Sequence, residues 1–224
     1  MNYYPVFLRV AGRSCLVIGG GNVGEQKVDT LLNASARVTV ISPHLTPHLE
    51  ALATSGQINH QRRPYGRGDL TGFFLAYAAT NDESLHAQIA ADASAAGVLL
   101  NVVDQPQLCD FIVPAVMERG DLVIATSTGG ASPAMAGRIR RELEERFGPE
   151  YALALTLLRR VRRALAARAS GSERRRIFKA LVDSPLVEYL RHGQTSNVDA
   201  LLATTVGDDV SLASLGIELP TRAN

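Results

Sequence analysis

Val17-Ile18-Gly19-Gly20-Gly21-Asn22-Val23-Gly24 is the stretch on which the fold turns. It continues Ser14-Cys15-Leu16, so an apolar run rich in branched residues, the pattern of a buried parallel strand, passes without a spacer into a glycine-rich turn. From Glu25 to Asn33, Val28, Leu31 and Leu32 recur at helical spacing, and Arg37-Val38-Thr39-Val40-Ile41 forms a second strand. The βαβ unit closes in about the 30 residues such a unit needs. In that setting the glycines have separate tasks. Gly19 makes the tight turn, Gly21 removes a side chain that would block a pyrophosphate, and Gly24 lets the helix approach the first strand. Asn22 and Val23 open the helix, whose unpaired N–H groups and partial positive charge suit phosphates. The pattern predicts a dinucleotide site.

Further along the chain, strands and helices keep alternating. Thr46 to Ser55 reads as a helix with Thr46 and Pro47 at its start, and Phe73 to Ala79 as a strand. A helix follows from about Glu83 to Ala96, then strands at Val98–Val103 and Leu122–Thr126. This order predicts an α/β protein, a Rossmann-like and mostly parallel sheet with helices on both faces. After Pro133 the strands stop. Ala134–Phe147, Glu150–Ala169 and Ser172–Val182 read as successive helices. The expected organisation is a nucleotide-binding domain over 1–130, a helical region over 131–192, and a small extension over 193–224 whose end, from Pro220, reads as flexible.

Polar residues at strand ends are the next candidates, because open α/β sheets bind ligands at that edge. Thr80 and Asn101 stand there as candidate cofactor ligands, or as caps of a helix or turn. An NAD site ordinarily has Asp or Glu at the end of the second strand; this chain has Ser42-Pro43-His44. No adjacent arginine offers itself to a 2′-phosphate, so NAD is favoured over NADP, with the Ser42 hydroxyl or nearby backbone, Pro43 included, as the ribose ligand. Asp104 follows the strand Val98–Val103 and precedes Gln105-Pro106. It reads either as a general base at the ligand crevice or as an aspartate opening a turn. Asp110, before Phe111-Ile112-Val113-Pro114, reads as structural, though spacing alone does not separate the two carboxylates.

Composition excludes several classes. The hydrophobic content of 46% and charged content of 20% are those of a globular protein. No apolar run approaches the roughly 18 residues of a membrane span, and Met1-Asn2-Tyr3-Tyr4-Pro5 lacks the features of a signal peptide, so the expectation is cytoplasmic. Cys15 and Cys109 are too few for a disulfide framework and read as ordinary buried or half-buried residues. His44, His48, His60, His86 and His192 show no ligand spacing, and none is assigned to a metal. The net charge of +1 hides an acidic N-terminal half and a basic segment between Arg138 and Lys179. With few aromatics and no recognition motif, that segment is a weak nucleic-acid footprint. Pairs such as Arg138–Glu142 and Arg140–Glu144 fit a solvated helix face.

Four motifs occur in order: the glycine turn, Ala78-Ala79-Thr80-Asn81-Asp82, Asn101-Val102-Val103-Asp104, and Ser127-Thr128-Gly129-Gly130-Ala131-Ser132-Pro133. Together they resemble the precorrin-2 dehydrogenase/sirohydrochlorin ferrochelatase family, the dehydrogenase–chelatase module of siroheme synthase. The likeness runs from about Tyr4 to Arg146 and more loosely to about Arg191. It implies NAD-dependent oxidation of precorrin-2 to sirohydrochlorin and, in bifunctional members, Fe²⁺ insertion to give siroheme. It implies that Asp104 is catalytic in both steps. It implies that Ser127, Thr128, Gly129 and Gly130 line the tetrapyrrole cleft, with Thr128 at a position where some members carry a phosphorylatable serine. It also implies a homodimer built on the C-terminal helices, with arginines such as Arg138 and Arg141 attracting the polycarboxylate substrate. The 224 residues leave no room for the transmethylase domain of the fused members.

Overall fold

A computed structural model describes residues 3–80 and 82–219, and Asn81 and the segment from Pro220 lie outside the described residues. The chain divides at Val113/Pro114 into two compact units. The first contains β1 (Ser14–Ile18), α1 (Asn22–Asn33), β2 (Arg37–Ile41), α2 (Pro47–Thr54), β3 (Ile58–Gln61), β4 (Leu75–Ala78), α3 (Glu83–Ala96) and β5 (Leu99–Val102). The strands make one parallel sheet in the order β3-β2-β1-β4-β5. This is the doubly wound order of a Rossmann-like fold, and it reverses direction at β1.

Both faces of this sheet are covered, and the central strands show why they are apolar throughout. Cys15 and Val17 of β1, Val38 and Val40 of β2, and Leu75 and Tyr77 of β4 pack against Val28, Leu31 and Leu49 of α1 and α2. The alternate residues Leu16, Ile18, Ala76 and Ala78 pack against Ile89 and Ala93 of α3 on the other face. Each Val, Leu or Ile among them contributes about 1.5–3 kcal/mol on burial. The β3–β4 connection has no helix; Tyr65 and Leu70 anchor it in the same core as α3. β3 has no sequence signal of its own, because an edge strand with the single apolar residue Ile58 shows no period.

The edge of β5 is finished by side chains rather than by another strand. Leu100 N–H donates to the Asp110 carboxylate at 2.9 Å, and Asp110 N–H returns to Leu100 O at 2.8 Å. Val102 N–H donates to Cys109 Sγ at 3.2 Å, and the thiol donates back to Val102 O. Strand-edge groups that would invite another chain are thereby paired. Cys15 is buried and Cys109 half-buried, both free, and burial pushes both thiols up from their ordinary value. Neither is an activated nucleophile.

The second unit opens with the antiparallel hairpin β6 (Ala115–Arg119) and β7 (Leu122–Thr126). This corrects the sequence reading, which placed Leu122–Thr126 in the parallel sheet and ended the first domain at residue 130. Gly120, at φ +58°, and Asp121 form a two-residue turn, so β7 pairs back onto β6 instead of crossing over. The turn was the available signal. α4 (Pro133–Arg146), α5 (Glu150–Leu165) and α6 (Gly171–Asp183) appear close to where the periodicity placed them, followed by α7 (Leu186–Arg191) and α8 (Thr195–Thr205). Glu150, buried at the start of α5, accepts from Nε and Nη2 of Arg191 in α7 at 3.1 and 3.0 Å. No helix among the described residues is long and apolar enough to cross a membrane.

The segment expected as a small extension is part of this unit's core. Val198 and Leu202 of α8, then Val210, Leu212 and Ile217, pack with Leu157, Val161, Leu181 and Leu190. Leu202 is fully buried. Leu202→Ala therefore lowers the unfolding free energy by about 2–5 kcal/mol in urea denaturation; a change below about 1 kcal/mol would mean that the segment is peripheral.

Candidate active site at the carboxyl edge of the parallel sheet

Three of the four glycines after β1 are required by packing, each for a different physical reason. Gly19 has φ +113°, and a Cβ there would lie 2.7 Å from the Ala79 carbonyl carbon. Its N–H donates to Ile41 O at 3.0 Å, tying the turn to the end of β2. Gly20 lies beneath the loop after β2: a Cβ would meet His44 O and, at 2.6 Å, Leu45 Cδ2. Gly24 rests on the Gly19 carbonyl oxygen, backbone on backbone. Gly21 alone faces open space, with nothing within 4 Å of a Cβ. It is the N-cap of α1 and makes no side-chain cap, in contrast to Thr46, Asp82, Ser132 and Ser170, which cap α2, α3, α4 and α6. Asn22 and Val23 are exposed in that uncapped first turn. The fingerprint treats position 20 as free, so the need for Gly20 is visible only once the β2 loop covers it.

Three strand ends surround the turn. Beyond β2, Ser42 is 8% exposed, and its hydroxyl donates to His44 O at 2.7 Å. Its N–H donates to Gln61 O at 3.2 Å, and its carbonyl oxygen lies 2.9 Å from His60 Nε2. The hydroxyl therefore shapes the loop, and the exposed groups at this corner are Pro43 and His44. Beyond β4, a Cβ on Gly19 would also lie 3.1 Å from Thr80 N, so Thr80 adjoins the turn. Its carbonyl oxygen lies 3.1 Å from Nε2 of the buried His86, and its Oγ1 accepts from Asp82 N. His86 thus holds a strand-end residue in place, a role that sequence reasoning missed. On β5, Asn101 Nδ2 donates to Phe111 O at 2.9 Å, and Phe111 packs edge-on against Tyr77 at 5.6 Å.

Asp104 and Asp110, alike in sequence, differ completely in structure. Asp110 is committed to the β5 edge. Asp104 lies two residues beyond β5, next to Val103, whose N–H donates to Ala78 O at 3.0 Å. It is exposed, and its carboxylate has no hydrogen bond or ion pair among the described residues. Its backbone is left-handed, at φ +59°. That conformation costs an ordinary residue roughly 1–2 kcal/mol, and aspartate less. Strain of this kind clusters at functional sites.

The substrate-contact candidates lie in the second unit. Ser127 Oγ accepts from Gly129 N at 3.1 Å, and Thr128 Oγ1 both donates to Ser132 O and accepts from Ser132 N. Gly129 and Gly130, at φ +63° and +90°, require glycine. Arg138 is exposed and donates to Glu142 at 2.8 Å, and Arg140 pairs with Glu144, as the helical spacing predicts. The structure thus gathers Gly19–Gly24, Ser42, Pro43, Thr80, Asn101 and Asp104 at one sheet edge, while Ser127–Gly130 and Arg138 belong to the unit that follows.

Comparison with known proteins adds the family. Residues 6–115 match a family model described as putative NAD(P)-binding, and residues 119–146 match the model of the sirohaem biosynthesis protein central region. The siroheme synthase of Nitrosococcus oceani is 37% identical over 203 residues, which cover 90% of this chain and 43% of that protein. That of Stutzerimonas stutzeri is 38% identical, covering 91% and 44%. The chain thus spans less than half the length of the curated relatives it matches. Among solved structures, the precorrin-2 dehydrogenase SirC superposes with a TM-score of 0.74 at 25% identity, over 91% of this chain and 98% of that one. With the glycine turn at the switch point, two family models in succession, and relatives matching along nine-tenths of its length, the chain belongs to the precorrin-2 dehydrogenase/sirohydrochlorin ferrochelatase family, the dehydrogenase–chelatase module of siroheme synthase.

Proposed function

We propose that this chain oxidises precorrin-2 to sirohydrochlorin with NAD, Asp104 acting as the base, and that it then inserts Fe²⁺ to give siroheme. The observation that carries the reading is the turn at the switch point, with Gly21 facing open space and the first N–H groups of α1 uncapped. A Cβ at Gly21 would fill the space that a pyrophosphate needs, so the residues present fit a dinucleotide. NAD, rather than NADP, is taken from the family likeness.

Bound NAD supplies the acceptor for two electrons and one of the two protons that the oxidation removes. The other proton is left for the Asp104 carboxylate, which is exposed, has no partner among the described residues and can pass it to solvent. The same carboxylate serves metal insertion by taking protons from the pyrrole nitrogens, with Fe²⁺ as substrate. Ser127, Thr128, Gly129, Gly130 and Arg138 are the residues we assign to substrate contact, Arg138 by exchanging its Glu142 partner for a substrate carboxylate. The helices over 131–192 are the proposed dimer-forming region of a cytoplasmic homodimer.

The deciding experiment is anaerobic turnover followed by absorption. Precorrin-2 passes to sirohydrochlorin only when NAD is present, and on to siroheme when Fe²⁺ is added. Arrest at sirohydrochlorin removes the iron-insertion claim, and absence of turnover with NAD binding intact identifies a dinucleotide sensor instead. Asp104→Asn lowers kcat by about 10²–10⁴-fold with NAD affinity retained. Asp104→Gly is equally inactive but raises the unfolding free energy by about 0.5–1 kcal/mol, because glycine adopts the left-handed backbone without strain.

A pair of glycine variants separates binding from folding. Gly21→Ala costs less than about 1 kcal/mol of stability, as a change of N-cap, yet abolishes NADH binding measured by fluorescence. Gly24→Ala pushes α1 off β1 and lowers stability by about 2 kcal/mol or more. Equal stability losses in the two would refute the assignment of Gly21 to the ligand.

A further inference from the structure

We infer that the ribose corner of the dinucleotide site admits a 2′-phosphate, so that the chain binds NADP as well as NAD, with Arg62 as the residue that receives the phosphate. The inference rests on reading the glycine turn as a dinucleotide site and concerns only which dinucleotide that site accepts.

An acidic residue at the end of β2 does two things in an NAD-specific site. It accepts hydrogen bonds from the ribose hydroxyls, and its charge repels a 2′-phosphate. Here β2 ends at Ile41 and is followed by Ser42, Pro43 and His44, so that repulsion is missing at the strand end. Ser42 does not replace it, because its buried hydroxyl is already donated to His44 O.

Strand pairing then brings a cation to the same corner. β3 runs parallel to β2 in the register Ile41↔Gln61, and Gln61 O accepts the N–H of Ser42 at 3.2 Å. The residue after Gln61 is Arg62, delivered beside the end of β2 by the pairing of the edge strand. Twenty residues separate Ser42 from Arg62 in sequence, which is why the chain read linearly shows no arginine near this position.

The two neighbouring arginines are not equivalent. Arg63 is held by both oxygens of Asp69, at 2.6 and 2.8 Å, and donates to Gln61 and to Pro64 O as well. It is locked into the β3–β4 connection. Arg62 makes one ion pair, to Glu50 in the first turn of α2, between side chains 63% and 42% exposed. A solvent-exposed pair of this kind is weak and readily exchanged, whereas a guanidinium matches a phosphate with two parallel hydrogen bonds. His44, exposed on the loop after β2, is a second cation-forming side chain open to solvent at the corner, whereas His60 lies against Ser42 O.

Titrating the full chain with NADH and with NADPH by fluorescence tests this directly. The expected result is an NADPH Kd within about tenfold of that for NADH. Arg62→Ala weakens NADPH by about tenfold or more and leaves NADH within about twofold, with an unchanged urea midpoint. Glu50→Gln, which removes the competing carboxylate, tightens NADPH alone. NADPH binding weaker than NADH by more than about tenfold overturns the inference while leaving the NAD reading intact. So does a parallel loss of both ligands in Arg62→Ala, which would place Arg62 elsewhere on the dinucleotide. Binding of neither dinucleotide overturns the reading of the turn itself, and this inference with it.

Discussion

The contact of Gly24 with the Gly19 carbonyl oxygen is the constraint on which the first unit depends. Backbone meets backbone there with no side chain between, which sets how closely α1 lies against β1. That spacing lets Val28 and Leu31 reach Val17, Val38 and Val40, and so closes one face of the sheet. It also aims the N-terminus of α1 at the sheet's carboxyl edge with its cap position bare. A side chain at Gly19, Gly20 or Gly24 would be absorbed only by moving the Ala79 backbone, the β2 loop or α1. Packing therefore fixes three of the four glycines, and Gly21, the one packing does not need, is the one left facing open space beside the start of α1.

The opposite end of the sheet shows a second economy. β5 has no strand on its outer side among the described residues; Cys109 and Asp110 supply the missing partners from the segment that follows, and Asn101 of β5 holds that segment through Phe111 O. Turning that segment back along the strand requires a sharp reversal immediately after β5. Asp104 sits within it in a left-handed conformation, its carboxylate exposed. A structural need, covering an edge, thus places a strained acidic residue at the carboxyl edge of the sheet, the edge at which open α/β sheets in general bind ligands. The reversal explains the backbone of Asp104. Its side chain bonds to nothing among the described residues and is exposed.

In the second unit, burial rather than charge carries the architecture. The basic segment resolves largely into exposed helix faces, with Arg138–Glu142 and Arg140–Glu144 pairing along α4. Arg191 is different, because its partner Glu150 is buried, and removing Arg191 would leave that buried carboxylate without its ion pair. The core of the unit extends through α8 to Ile217, so residues that looked like an appendage complete the packing of α5, α6 and α7.

The sequence by itself determined everything local. The glycine turn, the βαβ unit around it, the boundaries of the longer helices and the strand-end position of Asp104 follow from periodicity and spacing, because they involve residues close together in the chain. Only the tertiary structure decided what depends on pairing at a distance. It put β3 beside β2, covered Gly20 with the β2 loop and gave Asp110 to the β5 edge, whereas the β6–β7 hairpin had a local signal in Gly120-Asp121. It also set Arg62 next to Ser42 across a strand pair. The physical reason is clearest for the strand pair. A parallel neighbour is chosen by burial of whole faces and by backbone hydrogen bonds, and neither leaves a mark on the order of residues within one strand.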